Sequence, residues 1–304
     1  MLVWHDLAVA GGGTLLLAAL LIAVGRALAG MGAGPLVTRK VPHALCGLFA
    51  AIAASQLSSQ AVVAGVLAAA TVALTVIVEK GLIPVPGVFD GTRARDYGLV
   101  GFAAGALVAV LAFWPDRLAI AAGVLVLGLA DAGAALAGSR FGAHPVAAGG
   151  AVRSLEGSAV FVVIAFAVSC GVCLFGFATS PPVAVAVSAF VALSTAAIEL
   201  LVLPAADNLL ITPWVALLLH IGHDLSSPAA LRWTGAALLA CLAVPLVVRL
   251  RWLTLPAGIA AALAGAIMVA LGGWAWITVA AGVFAVTRLF GARLHAGAAP
   301  RLRR

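Results

Sequence analysis

The sequence predicts an all-α fold, a polytopic transmembrane helical bundle of about eleven spans, and three observations carry that prediction. First, 64% of the 304 residues are hydrophobic and only 9% are charged, whereas soluble domains run roughly 45–50% apolar and about 25% charged. Second, the apolar runs are continuous, as at 15–24 and 61–78, where a transmembrane barrel would alternate in short segments. Third, the basic residues collect between alternate apolar segments, which is how the chain of a helical membrane protein records its orientation.

Taken in order, the expected spans are 7–29, 43–57, 61–79, 98–114, 118–138, 157–178, 182–203, 208–222, 231–248, 254–271 and 274–291. The first has no basic stretch before it and no small-residue cleavage site after it, so it reads as a retained helix and not a signal peptide. Polar breaks separate the next spans: Gln56 to Gln60, Trp114-Pro-Asp-Arg117, Ser180-Pro-Pro182 and Gly272-Gly273. Connections this short make successive helices antiparallel neighbours. Glycines such as those of Gly101-Phe-Ala-Ala-Gly105 suit close helix packing. The four cysteines all fall inside apolar segments, where Cys170 and Cys173 read as small packing residues.

With the N-terminus outside, Arg26, Arg39, Lys40, Lys80, Arg93, Arg95, Arg140, Arg153, Arg249, Arg251, Arg288, Arg293, Arg301, Arg303 and Arg304 fall on the cytoplasmic side. Only Arg117 and Arg232 fall outside, so the 17 basic residues divide 15 to 2. The formal charge of +7 is thereby explained by topology and anionic lipid, and nucleic-acid binding is unsupported. The C-terminus is expected in the cytoplasm. The long polar connections, 30–42, 80–97 and 139–156, lie on the same cytoplasmic side, where a bundle can build a water-accessible site.

Four polar patches gather there. Arg39-Lys40-Val-Pro-His43 enters the second span, and a cationic cluster at that point could grip phosphate oxygens or merely anchor the helix. Asp131 lies about two turns inside the fifth span, followed by Gly138, Arg140 and Gly142. A carboxylate so deep is costly unless it faces a cavity, a cation or a metal. The glycines permit a tight exit and close backbone approach to phosphate, with Arg140 able to fork onto it. Arg153-Ser154-Leu-Glu156-Gly157-Ser158 opens the sixth span, as a helix cap, a phosphate-binding helix end, or both. Glu199, Asp207 and Asn208 join the seventh and eighth spans, and hard oxygens of this kind suit Mg²⁺ held jointly with substrate phosphates.

Other signals carry less. No lysine follows a glycine, so no G-x-x-x-x-G-K phosphate loop exists, and H-E-x-x-H is absent. Asp90-Gly-Thr-Arg-Ala-Arg95 copies the opening of the motif used by CDP-alcohol phosphotransferases but lacks the later aspartates, so Arg93 and Arg95, with Tyr97-Gly98, read as basic support. His220-Ile-Gly-His223-Asp224 has the look of a metal trio, yet it falls on the opposite face from the four patches and reads as an interfacial helix end.

The series R-K-x-x-H, D-x-x-A-x-x-x-G-x-x-F-G, [KR]-S-x-E-G-S and E-x7-D-N-x4-P, spread over residues 36 to 222, resembles the polyprenol (dolichol) kinase family, which includes phytol kinases and CTP-dependent diacylglycerol kinases. The middle motifs are also similar to those of phosphatidate cytidylyltransferases. Those enzymes carry an acidic C-terminal signature, whereas Asp224 is the last acidic residue here. Arg153 stands where the family more usually has lysine. The resemblance implies phosphoryl transfer, with CTP as donor and a divalent cation such as Mg²⁺, to the hydroxyl of a membrane lipid alcohol.

On that reading Asp131, Glu199 and Asp207 are the catalytic and metal-binding acids. Arg39, Lys40, His43, Arg93, Gly138, Arg140, Gly142, Arg153, Ser154, Glu156, Gly157 and Asn208 bind the nucleotide. The expected organisation is an N-terminal helix (1–35), a kinase-like transmembrane domain (36–225), and further C-terminal helices with a basic tail (226–304). The expected location is a bacterial plasma membrane with the site facing the cytoplasm. A membrane transporter and a cytidylyltransferase-like enzyme are the alternatives.

Overall fold

The computed structural model describes residues 2–81, 97–148, 151–201 and 205–297. The chain divides into two compact units, Met1–Ala230 and Leu231–Arg304. Eleven continuous helices account for nearly all of the described residues. In the first unit these are α1 (Leu2–Gly30), α2 (Pro35–Gln56), α3 (Gln60–Lys80), α4 (Gly98–Phe113), α5 (Arg117–Phe141), α6 (Leu155–Gly176), α7 (Pro181–Leu201) and α8 (Ala206–Gly222). Next, α9 (Ser227–Arg249) begins at the unit boundary, and α10 (Leu255–Gly272) and α11 (Trp276–Gly297) complete the second unit.

Eight of the eleven are long and apolar enough to cross a membrane. The shorter three are α4, α8 and the Trp276–Val286 portion of α11. Large apolar side chains cover the outer surface, among them Leu15, Val72, Leu111 and Leu242, all more than half exposed. A water-soluble protein does not present such faces all round; lipid is the solvent that suits them. The architecture is that of a polytopic integral membrane protein.

Local chemistry sets the helix ends. Ser59 starts α3 by accepting from Val62 N, and Gly81 ends it with φ 61°. The Asp116 carboxylate starts α5 by accepting from Ala119 N at 3.1 Å. Ser154 starts α6 by accepting from Gly157 N at 3.1 Å.

Three features depart from the sequence expectation. Helix α2 begins at Pro35, about two turns before the expected 43, because Pro35 itself suits the first helical position and Pro42 is tolerated inside. The 139–156 connection, read as a polar loop, holds an antiparallel pair, β1 (Pro145–Ala148) and β2 (Ala151–Ser154), with Val146 opposite Arg153. Finally, α5 passes through a π-helical turn at Val126–Ala130, immediately before Asp131.

In the first unit, α5 is central. It packs against α2, α4, α6 and α8, while α6 and α7 lie along one another. Glycines permit the closest approaches: a Cβ on Gly47 of α2 would lie 2.8 Å from Gly128 Cα of α5, and one on Gly105 of α4 would lie 2.7 Å from Leu209 O of α8.

Candidate functional site

Successive helices reverse direction, so the starts of α2, α4, α6 and α8 and the ends of α5 and α7 meet at one end of the first unit. There they enclose a cavity of about 720 Å³. Its wall includes Arg39, Lys40, His43, Asp131, Arg153, Glu199, Asp207 and Asn208, and Leu21 of α1 and Leu36 of α2 add apolar surface. Sites for drug-sized ligands span roughly 300–1,000 Å³, so this one has room for a nucleotide-sized molecule.

Two charge clusters face the cavity. In the first, Lys40 Nζ donates to Asp131 Oδ2 at 2.5 Å. His43 Nε2 lies 3.4 Å from the same oxygen without the alignment of a hydrogen bond. The early start of α2 places Lys40 and His43 three residues apart, on one helix face. Edge-on contact with Phe102 of α4, centroids 5.3 Å apart, orients the imidazole. Asp131 therefore has protein partners, whereas the sequence alone left its carboxylate unpaired.

In the second cluster, Arg153 joins two acids. Its Nε approaches Glu199 Oε1 at 3.1 Å and its Nη2 approaches Asp207 Oδ2 at 2.6 Å. The hairpin makes this reach possible: along β2, Val152 is exposed and its neighbour Arg153 turns inward, the alternation a strand enforces. Asp207 Oδ1 accepts from Asn208 N at 2.8 Å, and Asn208 Nδ2 donates to Gly98 O at 2.9 Å, which fastens the start of α8 to that of α4. Asp131, Glu199, Asp207 and Asn208 are all buried. Among the buried side-chain atoms with no hydrogen-bond partner in the described residues, three belong to residues that line the cavity: His43 Nε2, Arg153 Nη1 and Ser158 Oγ.

Several expected site residues do other work. Gly138, Gly142 and Gly157 line the cavity, but their smallness serves helix packing. A Cβ on Gly138 would meet Ser154 Oγ at 2.9 Å, one on Gly142 would meet Ser154 Cβ and Oγ at 3.0 Å, and one on Gly157 would meet Ala134 O at 2.8 Å. Ser154 spends its hydroxyl on the α6 cap. Glu156 turns away from the cavity and binds His144 through its ring Nδ1, 2.6 Å away, and its backbone N–H. Arg140 is exposed, with its guanidinium 5.7 Å from the Phe141 ring centroid, and does not line the cavity. Arg93, Arg95 and Asp90 lie outside the described residues, as does Pro204.

The three acids do not fit one shared Mg²⁺. Arg153 occupies the place between Glu199 and Asp207, and Asp131 is turned to Lys40 and His43. Instead, the donor set suits anionic oxygen: Arg153 Nη1 and Ser158 Oγ are buried donors without acceptors, and arginine pairs with phosphate or carboxylate through parallel N–H donors.

Sequence reasoning also missed structural parts of the site. The π turn before Asp131 left no signal in hydropathy, although such turns recur at functional sites. Ala205, with φ 74°, lines the cavity in a conformation that few residues other than glycine adopt. No family model, curated protein or solved structure matches this chain.

Proposed function

We propose that the cavity binds a nucleoside triphosphate, with CTP favoured by the family resemblance, and transfers its terminal phosphoryl group to the hydroxyl of a membrane lipid alcohol such as a polyprenol, a phytol-like alcohol or diacylglycerol. The supporting observation is the pairing of buried donors lacking acceptors, on Arg153 and Ser158, with a cavity of about 720 Å³ beside Lys40 and the deep carboxylate of Asp131. Phosphoryl transfer is chiefly a matter of positioning and charge stabilisation, so such donors are its main requirement.

In this mechanism the lipid hydroxyl oxygen forms a bond to the γ-phosphorus as the β–γ bridging P–O bond breaks, releasing the nucleoside diphosphate. Asp131 orients the hydroxyl and takes its proton. Lys40 and Arg153 turn part of their hydrogen bonding from the acids to the phosphates, and the unpartnered Ser158 hydroxyl donates to the same oxygens. Leu21 and Leu36 give the lipid chain an apolar side on which to enter. A divalent cation, Mg²⁺ by the resemblance, would add to the neutralisation of the phosphates that Lys40 and Arg153 supply, and Asp131, Glu199 and Asp207 would hold it only by releasing those cations.

The same reading places the N-terminus outside and the cavity on the cytoplasmic face, following the 15-to-2 division of basic residues. Purified protein incubated with CTP or ATP, labelled at the α- or γ-phosphate, and a panel of lipid alcohols tests it. The expected result is γ-label on a lipid. α-Label on a lipid with release of pyrophosphate would make the protein a nucleotidyltransferase, and no labelled lipid together with solute flux in liposomes would favour a transporter.

A further inference from the structure

A second polar cluster lies at the far end of the same helices. Helix α5 runs from Asp116 to the cavity and α8 runs from the cavity to His220 and His223, so these three residues meet at the end opposite Asp131 and Asp207. Asp116 Oδ2 is 3.0 Å from His220 Nδ1 and 4.0 Å from His223 Nε2. The sequence alone suggested Asp224 as the third member; the structure supplies Asp116, from 104 residues upstream of His220.

We infer that Asp116, His220 and His223 form a binding site for a divalent transition-metal ion of the zinc class. A single hydrogen bond accounts for one imidazole on a carboxylate oxygen, not for two converging on the same oxygen. The convergence is built in. Asp116 Oδ1 is spent on the helix cap at Ala119 N, which leaves Oδ2 facing both rings. His223 Nδ1 lies 3.1 Å from Asp224 Oδ1, so its Nε2 is the nitrogen free for a metal. Phe177 stacks on the His223 ring at 4.3 Å and 9°, and fixes its plane.

The ligand atoms all lie within 4.8 Å of one another. Around a tetrahedral Zn²⁺ with bonds of about 2.0–2.1 Å, ligand atoms stand roughly 3.3 Å apart, and the observed 3.0 and 4.0 Å straddle that value. Two imidazoles and one carboxylate select borderline metals over Mg²⁺ or Ca²⁺. Because His220 is exposed, the fourth position opens to solvent. The bound ion staples the α4–α5 turn to the end of α8, and does so independently of any reaction at the cavity.

Full-length protein in detergent, stripped with chelator and titrated with Zn²⁺, tests this by calorimetry and by metal content after gel filtration. One equivalent should bind and raise the unfolding temperature, and a Co²⁺-loaded sample should show the visible absorption of a low-symmetry nitrogen and oxygen site. The His220→Ala and Asp116→Asn variants should each weaken binding at least tenfold. His220 is exposed, so His220→Ala can be checked for an unchanged elution profile and helical content. No binding by the wild type, or unchanged binding by a folded His220→Ala/His223→Ala variant, would overturn the proposal.

Discussion

Arg153 settles the electrostatics of the cavity, because one guanidinium holds two buried acids, Glu199 and Asp207, and still has Nη1 unpartnered. Removing one member of a buried ion pair strands the others and costs about 3–5 kcal/mol. Arg153→Ala should therefore lower resistance to chemical unfolding in detergent by an amount of that order. Converting Glu199 and Asp207 to Gln and Asn in the same protein should recover most of it, since no charge is then left buried alone. Absence of both effects would mean that the pair is solvated. Asp131 makes a different prediction. An asparagine keeps an oxygen for Lys40 but neither takes a proton nor balances the ammonium charge. Asp131→Asn should thus lower resistance to unfolding, because Lys40 is left unbalanced, and in the protein that remains folded should lower turnover by on the order of 10² or more. Near-native turnover in folded protein would move the catalytic role to Asp207 or Glu199.

At the scale of elements, the link between Lys40 and Asp131 depends on how closely α2 approaches α5. Gly47 and Gly128 allow that approach: a Cβ on Gly128 would lie 2.7 Å from Gly47 Cα, and one on Gly47 would lie 2.9 Å from Val124 O. Gly47→Val should push the helices apart, weaken phosphoryl transfer and expose the adjacent Cys46, which is buried in the native packing. With the other three cysteines changed to serine, faster labelling of Cys46 by a thiol reagent reads the separation directly. Unchanged labelling would show that the contact is dispensable. Such contacts explain what the sequence could and could not disclose. Long apolar runs bounded by polar breaks are local signals, and the eleven helices follow them closely. Residues 36–222 also carried the motif residues that line the cavity, because each motif lies at a helix end on one side. Pairing was not legible. That Lys40 meets Asp131, that Arg153 bridges Glu199 and Asp207, and that Asp116 meets His220 depends on contacts across 91, 46, 54 and 104 positions, which no local period encodes. The hairpin escaped notice because its strands have four residues each, too few to establish an alternation.

For the molecule as a whole, the decisive quantity is the number of helices that cross the bilayer, because it fixes which end of the bundle meets the cytoplasm. Helices α4 and α8 have 16 and 17 residues, or about 24–26 Å at 1.5 Å per residue, short of a hydrocarbon core of roughly 30 Å. Both are held along much of their length against each other and against α5, and a short helix inside a bundle is accommodated by local thinning at modest cost. They are accordingly expected to cross. The polar cavity at one end and the Asp116 cluster at the other give water access at both ends of these two helices, which removes the need for a full hydrophobic length. Single cysteines placed in a cysteine-free background at exposed Gln56, Ser139 and Ser226 read the arrangement. With the N-terminus outside, an impermeant thiol reagent should label positions 56 and 226 in intact cells, and position 139 only after permeabilisation. If α4 re-entered without crossing, 56 and 139 would label from the same side; if α8 did so, 226 would label with 139. Either pattern would remove the cytoplasmic nucleotide from reach of one wall of the cavity, and the kinase reading would fail with the topology.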